Sequence, residues 1–359
     1  MSFRLSVAVV VIIVALDLGL AVASPAAKQA RKLSTYSIQS NRTFVAGISS
    51  GGAMAVQLQV AYSRTFRGAA IYAGLPYYCA RDNPGGVATC SLATPAIDVT
   101  ALVRVTKSWA HRGLIDPVQN LQGQPIYLWS GLLDTVVNQA AMNALQSYYE
   151  DLGANVFRYD RDFAAGHGWE SPYGPIQCGF ASSPFVNVCY DLNEVPPPLE
   201  WFPQVYDSEK VWLSQLFGPL KPKNNETLKG SVLPFDQNEF ATGVAANISM
   251  ADTGYVFVPK NCANGGACGL VVALHGCYQN YGAIGPAFIN DSGINQWADT
   301  NNIVVLYPQT IASSNNLGTG CWDWWGYLND SDYAQRSGPQ MKALYNMVLR
   351  VFGHSGPPN

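Results

Sequence analysis

The stretch that most constrains this chain is residues 43–52, TFVAGISSGG, in which a short apolar run ends at a serine flanked by glycines. Residues 47–51 fit the pattern Gly-x-Ser-x-Gly. This pattern predicts a strand, a tight turn and a helix, because only residues without a Cβ let the helix pack so close to the strand. Ser49 would then stand at the helix N-terminus, where negative charge is favoured. An ordinary glycine-serine turn is the alternative interpretation.

Strand-like and helical segments alternate along the following residues, which predicts a mostly parallel sheet with helices on both faces. Asp134 follows the apolar residues 125–131, and His167 follows the strand-like residues 155–159. Functional groups of such sheets gather at the carboxyl ends of strands. Ser49, Asp134 and His167 stand in the order of an α/β-hydrolase triad, so we predict a nucleophile, an orienting acid and a general base. A helix N-cap for Asp134 and an ordinary loop position for His167 are the alternatives.

The N-terminus has the pattern of a secretory signal peptide, with Arg4 before an apolar run and an A-x-A site at Ala21 and Ala23. We therefore expect residues 1–23 to be removed and residues 24–359 to form a single catalytic domain. Only 13% of the residues are charged, the net charge is −3 and no basic block exists, which argues against a nucleic-acid partner. No later run is long and apolar enough for a membrane helix. These features predict a secreted monomer with neither a nucleic acid nor a membrane as partner.

The eight cysteines, an even number, indicate disulfides in a secreted chain rather than metal ligands. Pairing by neighbourhood would join Cys79 with Cys90, Cys178 with Cys189 and Cys262 with Cys268, and would leave Cys277 with Cys321. Spacing alone leaves many other pairings open. N-x-S/T sequons, which agree with secretion, occur at Asn41, Asn225, Asn247, Asn290 and Asn329.

A polar stretch rich in Gly and Pro, residues 218–233, is the best linker candidate. Beyond it the strand-like residues 270–277 end in His275-Gly276-Cys277. In an α/β-hydrolase, a His-Gly segment after the third strand supplies an oxyanion-hole N–H and precedes the nucleophile, whereas here it follows. We therefore predict a circularly permuted α/β-hydrolase domain in which residues 218–233 join the usual termini.

With these features the chain resembles the secreted poly(3-hydroxybutyrate) depolymerases of the single-domain, circularly permuted type. The resemblance covers essentially the whole mature chain and is most specific at residues 47–52, 274–277 and 320–325. It implies hydrolysis of ester bonds in short-chain hydroxyalkanoate polymers, with no cofactor. The implied site residues are the triad Ser49, Asp134 and His167 and the oxyanion-hole N–H groups of Ser50 and Cys277.

An aromatic cluster follows Cys321 and contains Trp322, Trp324 and Trp325. A Cys277–Cys321 disulfide would carry this cluster close to the oxyanion site. We therefore expect the tryptophans to bind substrate at the mouth of the crevice. Burial of all three in the core is the alternative.

The sequence thus predicts a secreted serine esterase that cleaves poly(3-hydroxybutyrate) or its oligomers through an acyl-enzyme, without cofactor or metal. A feruloyl or acetyl esterase acting on polysaccharide esters would use the same machinery and differ in the loops around the crevice. A secreted protein that only binds a polymer is the third hypothesis. The intact triad argues against it.

Overall fold

The computed structural model describes residues 31–81, 84–191 and 204–353, and the predicted signal peptide at residues 1–23 lies outside these ranges. Across the described ranges, no helix has both the length and the apolar character needed to cross a bilayer. The centre of the fold is an eight-stranded sheet.

The strands in chain order are β1 (Ile38–Ile48), β2 (Ala69–Tyr72), β3 (Pro125–Trp129), β4 (Asn155–Asp160), β5 (Trp169–Glu170), β6 (Ile176–Gln177), β7 (Val186–Val188), β8 (Tyr190–Asp191), β9 (Gln204–Val205), β10 (Ser231–Asp236), β11 (Thr253–Val258), β12 (Cys268–Leu274) and β13 (Ile303–Tyr307). The helices are α1 (Ser50–Ala61), α2 (Pro84–Leu92), α3 (Val99–His111), α4 (Gln139–Asp151), α5 (Ser208–Phe217), α6 (Lys260–Ala263), α7 (Tyr281–Ile284), α8 (Ala287–Asp291), α9 (Ile294–Asn301) and α10 (Pro339–Val351). Short 3-10 helices cover Val118–Leu121, Asn238–Phe240 and Ala245–Ile248.

The strands of the large sheet follow the order β10-β11-β13-β12-β1-β2-β3-β4. The β10/β11 and β11/β13 pairs are antiparallel and the other pairs are parallel. β1 lies in the middle, where Val45 is in register with Val272 of β12 and Ala69 of β2. Residues 43–48 are buried, as an uninterrupted apolar run predicts for a strand covered on both faces.

Successive side chains of the strands alternate between two buried clusters, one on each face of the sheet. Val45 and Leu128 pack with α1, α3, α4 and α10, while Phe44 and Trp129 pack with α5, α8 and α9. The predicted α/β architecture, a mostly parallel sheet with helices on both faces, is therefore confirmed.

The sheet also shows how the chain is permuted. Strands β1 to β4 form one half and β10 to β13 the other, so the chain enters the sheet at its centre. The two described ends meet, because Tyr36 N–H donates to the carbonyl oxygen of Val351, the last residue of α10, at 2.9 Å. α10 thus ends where the chain enters β1, as in an unpermuted α/β-hydrolase, and the predicted circular permutation is confirmed.

The predicted linker differs from the structure at its C-terminal end. Residues 231–233 belong to β10 and pair with β11, so the connection covers only residues 218–230. This connection is hydrogen-bonded to the domain, because Asp299 of α9 accepts from the N–H groups of Lys229 and Gly230 at 3.0 and 2.8 Å. The connection is therefore held against α9.

The cysteines form the four pairs that neighbourhood predicts: Cys79–Cys90, Cys178–Cys189, Cys262–Cys268 and Cys277–Cys321. All five sequon asparagines are solvent-exposed, as attachment of a glycan requires. Their glycosylation stays a prediction.

Candidate active site

β1 ends in a sharp turn at Ser49, which has φ 57° and ψ −121°. A positive φ is strained for a residue with a side chain. The Ser49 N–H donates to Tyr72 O of β2 at 2.9 Å, which anchors the turn to the sheet. The flanking glycines are required, since a Cβ at Gly47 would lie 2.2 Å from Gly51 O and one at Gly51 would lie 2.3 Å from His275 O. The strained strand-to-helix turn expected from the sequence is present.

The start of α1 leaves polar groups available beside this turn. The Ser49 side chain makes no capping hydrogen bond to the helix. Within the described ranges the Ser50 N–H has no acceptor, as is usual in a first helical turn. The free hydroxyl therefore stands next to an unpaired donor and to the positive end of the helix dipole.

Asp134 lies in the loop after β3 and is 6% exposed. Its Oδ1 accepts from the N–H groups of Val136 and Val137, both at 2.9 Å. Its Oδ2 lies 2.8 Å from Nδ1 of His167. The backbone donors fix the carboxylate, and the carboxylate fixes the imidazole with a proton on Nδ1. Nε2 is then the nitrogen that can accept a proton from a nucleophile.

The loop between β4 and β5 carries His167 and packs on the loop that carries Asp134. Leu133 N–H donates to Ala165 O at 2.9 Å, and Gly166 N–H donates to Cys178 O at 2.8 Å. The Cys178–Cys189 disulfide ties the second contact to the chain beyond. Backbone contacts as well as the side-chain bond therefore hold acid and base together.

Ser49 and His167 are both nearly buried, with 9% and 7% of their surface exposed. No hydrogen bond joins them in the part of the chain that the structure describes. Such bonds are often long without substrate and tighten in the complex. The structure thus joins Asp134 to His167 directly and places Ser49 at the same carboxyl edge of the sheet.

The segment after β12 packs against the Ser49 turn, since a Cβ at Gly276 would lie 3.2 Å from Ser49 Cβ. Its peptide groups are held by hydrogen bonds. His275 O accepts from Trp322 Nε1 at 3.0 Å, and Gly276 N–H donates to Gln279 Oε1 at 2.7 Å. Gly276 O lies 2.7 Å from Nδ1 of His275. The His275-Gly276 backbone is therefore fixed beside the serine.

The ring of His275 sets the direction of the next peptide. Thr310 N–H donates to His275 Nε2 at 3.3 Å, so Nδ1 carries the proton and donates to Gly276 O. Because the C=O and N–H of a trans peptide point in opposite directions, the Cys277 N–H faces away from this ring. It has no acceptor among the described residues. Burial lowers the pKa of His275 to about 4, which keeps the ring neutral at neutral pH.

The tryptophan cluster lies deeper than predicted. Trp322 is 0% exposed, and its indole N–H donates to His275 O. The predicted substrate contact of Trp322 is therefore wrong, because a buried backbone oxygen is its partner. Trp324 and Trp325 also belong to the core cluster, with 6% and 8% exposed, so the cluster does not form an open crevice mouth.

Exposed apolar side chains that were not predicted from the sequence flank the site residues. Leu132 and Leu133 are 54% exposed just before Asp134, and Val136 is 48% exposed just after it. Phe180 is 61% exposed beside the His167 loop, and Tyr278 is 54% exposed next to Cys277. The loop sequence Gly-Leu-Leu-Asp was the available signal, because adjacent leucines in a loop cannot all turn inward.

Two carboxyl groups are buried behind the His167 loop. Glu170 Oε2 accepts from Ser208 N–H at 3.0 Å, and Glu209 Oε1 accepts from Trp169 Nε1 at 2.9 Å. Burial raises the pKa of both carboxyls, which favours their protonated forms. Nowhere in the described ranges do three or more His, Cys, Asp or Glu side chains group as metal ligands would.

Comparison with known proteins finds relatives that match most of this chain. No protein-family model matches the chain. It is 42% identical over 337 residues to a poly(3-hydroxybutyrate) depolymerase of Delftia acidovorans, an alignment covering 91% of this chain and 63% of that relative. It is 36% identical over 339 residues to a polyhydroxybutyrate depolymerase of Talaromyces funiculosus, covering 90% of this chain and 93% of the relative. The chain thus spans less than two thirds of the Delftia relative but nearly all of the Talaromyces one.

Solved structures of proteins with the same name as these relatives also match the fold of this chain. The crystal structure of PHB depolymerase from Penicillium funiculosum matches with a TM-score of 0.78 at 34% identity, covering 90% of this chain and 99% of that one. A serine-to-alanine variant of a PHB depolymerase, complexed with an R3HB trimer, matches with the same TM-score, identity and coverage.

Proposed function

The chain belongs to the poly(3-hydroxybutyrate) depolymerase family, and from that premise we propose that it is a serine esterase that cleaves poly(3-hydroxybutyrate) or its oligomers, with Ser49 as nucleophile. The observation that carries the proposal is the 2.8 Å contact between Asp134 Oδ2 and His167 Nδ1 at the sheet edge where Ser49 turns into α1. The relative that holds an R3HB trimer supports an oligoester as substrate.

In the first half-reaction Ser49 Oγ attacks the ester carbonyl while His167 Nε2 takes the hydroxyl proton. Asp134 stabilises the imidazolium that forms. The carbonyl oxygen becomes an oxyanion and accepts hydrogen bonds from the Ser50 and Cys277 N–H groups. One such donor typically contributes about 10²- to 10³-fold in rate. Collapse of the tetrahedral intermediate breaks the ester bond, and the departing alkoxide takes the proton from His167.

The second half-reaction releases the acyl fragment. A water molecule attacks the acyl carbonyl and gives its proton to His167 Nε2, and the same two N–H groups stabilise the second oxyanion. Ser49 then leaves with the proton from His167. The products are one fragment ending in a hydroxyl group and one ending in a carboxylate, and the enzyme returns to its starting state.

The surface around the site favours a polyester over a polysaccharide ester. Leu132, Leu133, Val136 and Phe180 present exposed apolar side chains beside the acid and the base. Such side chains suit the methyl-bearing backbone of a hydroxybutyrate chain, whereas a polysaccharide carries many hydroxyl groups that need polar partners.

Secretion is part of the proposal. The four disulfides are expected of a protein that folds in an oxidising compartment. The exposed sequon asparagines agree with it. We also propose that the protein acts as a monomer and needs no cofactor, because serine, histidine and two backbone donors suffice for the chemistry.

The test is hydrolysis of a turbid poly(3-hydroxybutyrate) suspension beside feruloylated and acetylated xylan. We expect the wild type to clear the suspension and to release little ferulate or acetate. Ser49→Ala should abolish clearing while the variant still adsorbs to the polymer. Preferential release of ferulate or acetate would favour the polysaccharide esterase instead, and adsorption without any hydrolysis would favour a binding protein.

A further inference from the structure

Gln279, two residues after Cys277, is 2% exposed and uses its whole side-chain amide. Its Oε1 accepts from Gly276 N–H at 2.7 Å. Its Nε2 donates to Pro184 O at 2.9 Å and to Phe185 O at 3.1 Å. One buried amide therefore bridges two loops through three hydrogen bonds to backbone.

These two loops belong to the two halves of the site. Gly276 precedes the Cys277 N–H, the oxyanion donor. Phe185 O also accepts from Trp169 N–H at 2.8 Å, and Trp169 opens β5 two residues after His167. The amide thus connects the segment of the oxyanion donor to the segment of the base.

We propose that Gln279 is a positioning residue that holds the Cys277 N–H and the His167 loop in one fixed arrangement, an inference that rests on the proposed esterase function. The amide packs closely on Gly276, because a Cβ at that residue would lie 2.7 Å from Gln279 Oε1. Without it the two loops can shift independently. A displacement of about 1 Å from the productive geometry can cost about 10²-fold in rate.

Gln279→Glu makes this geometry depend on pH. A protonated carboxyl still accepts from Gly276 N–H and donates one hydrogen bond to Pro184 O or Phe185 O. An ionised carboxylate faces those two carbonyl oxygens with no proton to share, which leaves buried acceptors unpaired. Burial raises the pKa of a carboxyl. The variant should therefore resemble the wild type in acid and lose activity as the pH rises.

The measurement is kcat and KM of the full chain on a soluble nitrophenyl ester, with the melting temperature, from about pH 5 to about pH 8.5. We expect the kcat of Gln279→Glu, relative to wild type, to fall about 10- to 100-fold across this range while KM changes little, because the oxyanion contact forms only in the transition state. Gln279→Met, which has similar length but no amide, should lower kcat at every pH.

Gln237→Glu is the matched control. Gln237 is 1% exposed, accepts from Gln309 N–H at 2.9 Å, and donates to Ala251 O and Gln309 O at 2.6 and 2.9 Å. This is the same three-bond pattern between other loops. Its variant should lose melting temperature as the pH rises but keep the wild-type kcat.

A relative kcat of Gln279→Glu that does not change with pH would overturn the inference. So would a Gln279→Met variant with the wild-type kcat, which decides the matter even if the glutamate variant does not fold. An equal loss of kcat in the Gln237 variant would show a general effect of stability and overturn it as well. A wild type without esterase activity would refute the proposed function, and the inference with it. An active wild type with unaffected Gln279 variants would refute the inference alone.

Discussion

Acid should destabilise this protein through His275. The ring is fully buried and donates a hydrogen bond to Gly276 O, and its folded-state pKa is about 4 against 6.5 for an unburied histidine. Because the folded-state pKa is the lower one, the unfolded chain binds the proton first as the pH falls. The contribution of the neutral ring is therefore complete above pH 6.5 and is lost as the pH falls towards about 4.

The magnitude follows from the two pKa values. At about 1.4 kcal/mol per pKa unit, the difference corresponds to about 3 kcal/mol of unfolding free energy. A change of 1 kcal/mol moves the melting temperature of a large domain by about 2 °C. We therefore expect His275 to lower the melting temperature by about 5 °C between neutral pH and about pH 4.5. Most of the full effect is reached at that pH.

The assay compares wild type with His275→Asn, which keeps a donor for Gly276 O but cannot bind a proton in this range. Calorimetric melting temperatures are measured at each pH, and other titrating groups cancel in the difference between the two proteins. The difference in melting temperature between wild type and His275→Asn should become smaller as the pH falls. His111→Asn, which changes a histidine at an exposed position, is the control. A difference in melting temperature between wild type and His275→Asn that stays constant from neutral pH to about pH 4.5 would show that His275 does not cause the loss of stability in acid.

Three other predictions follow from the contacts around the site. Asp134→Asn should lower kcat by about 10⁴-fold with an unchanged melting temperature, because the amide keeps an acceptor for the backbone donors but favours the wrong imidazole tautomer. Replacing Cys277 and Cys321 by serine should cost about 4 kcal/mol of unfolding free energy, as expected for a loop of this length. The same change should lower kcat, because no disulfide then holds the Cys277 N–H that we propose as an oxyanion donor. Asp299→Ala should speed protease cleavage within residues 218–230, measured by mass spectrometry, because two backbone N–H groups lose their acceptor.

Each of these results has a counterpart that would count against it. A wild-type kcat in Asp134→Asn would remove Asp134 from the triad. Serine replacement of Cys79 and Cys90, a disulfide remote in sequence from Cys277, should lower stability alone. An equal fall of kcat there would contradict a specific role of the Cys277–Cys321 disulfide in catalysis. Equal cleavage rates with and without Asp299 would mean that the connection is not held by this side chain.

The structural features that the sequence predicted are those whose geometry is decided locally. The turn at Ser49 needs small neighbours on both sides, so Gly47 and Gly51 indicate the turn without knowledge of the rest of the fold. The alternation of strands and helices places Ser49, Asp134 and His167 after β1, β3 and β4. Three of the disulfides close short loops.

The features that the sequence did not reveal depend on partners far along the chain. The sequence is compatible with Trp322 either at a crevice or in the core. In the structure its indole N–H donates to His275 O, a buried acceptor far along the chain. The polar composition of residues 218–230 does not tell whether this connection is held against the domain. The hydrogen bonds from its backbone to Asp299 show that it is. Gln279 belongs to no motif, since its role comes from backbone groups nearly a hundred residues earlier.

The most direct test of the central claim, that Ser49 is the nucleophile of a polyester hydrolase, is mass spectrometry of the protein quenched in acid during turnover of a 3-hydroxybutyrate oligomer. We expect a covalent hydroxybutyryl adduct on the peptide that contains Ser49, and no adduct in Ser49→Ala. An adduct on any other residue, or oligomer cleavage by Ser49→Ala at the wild-type rate, would contradict this claim.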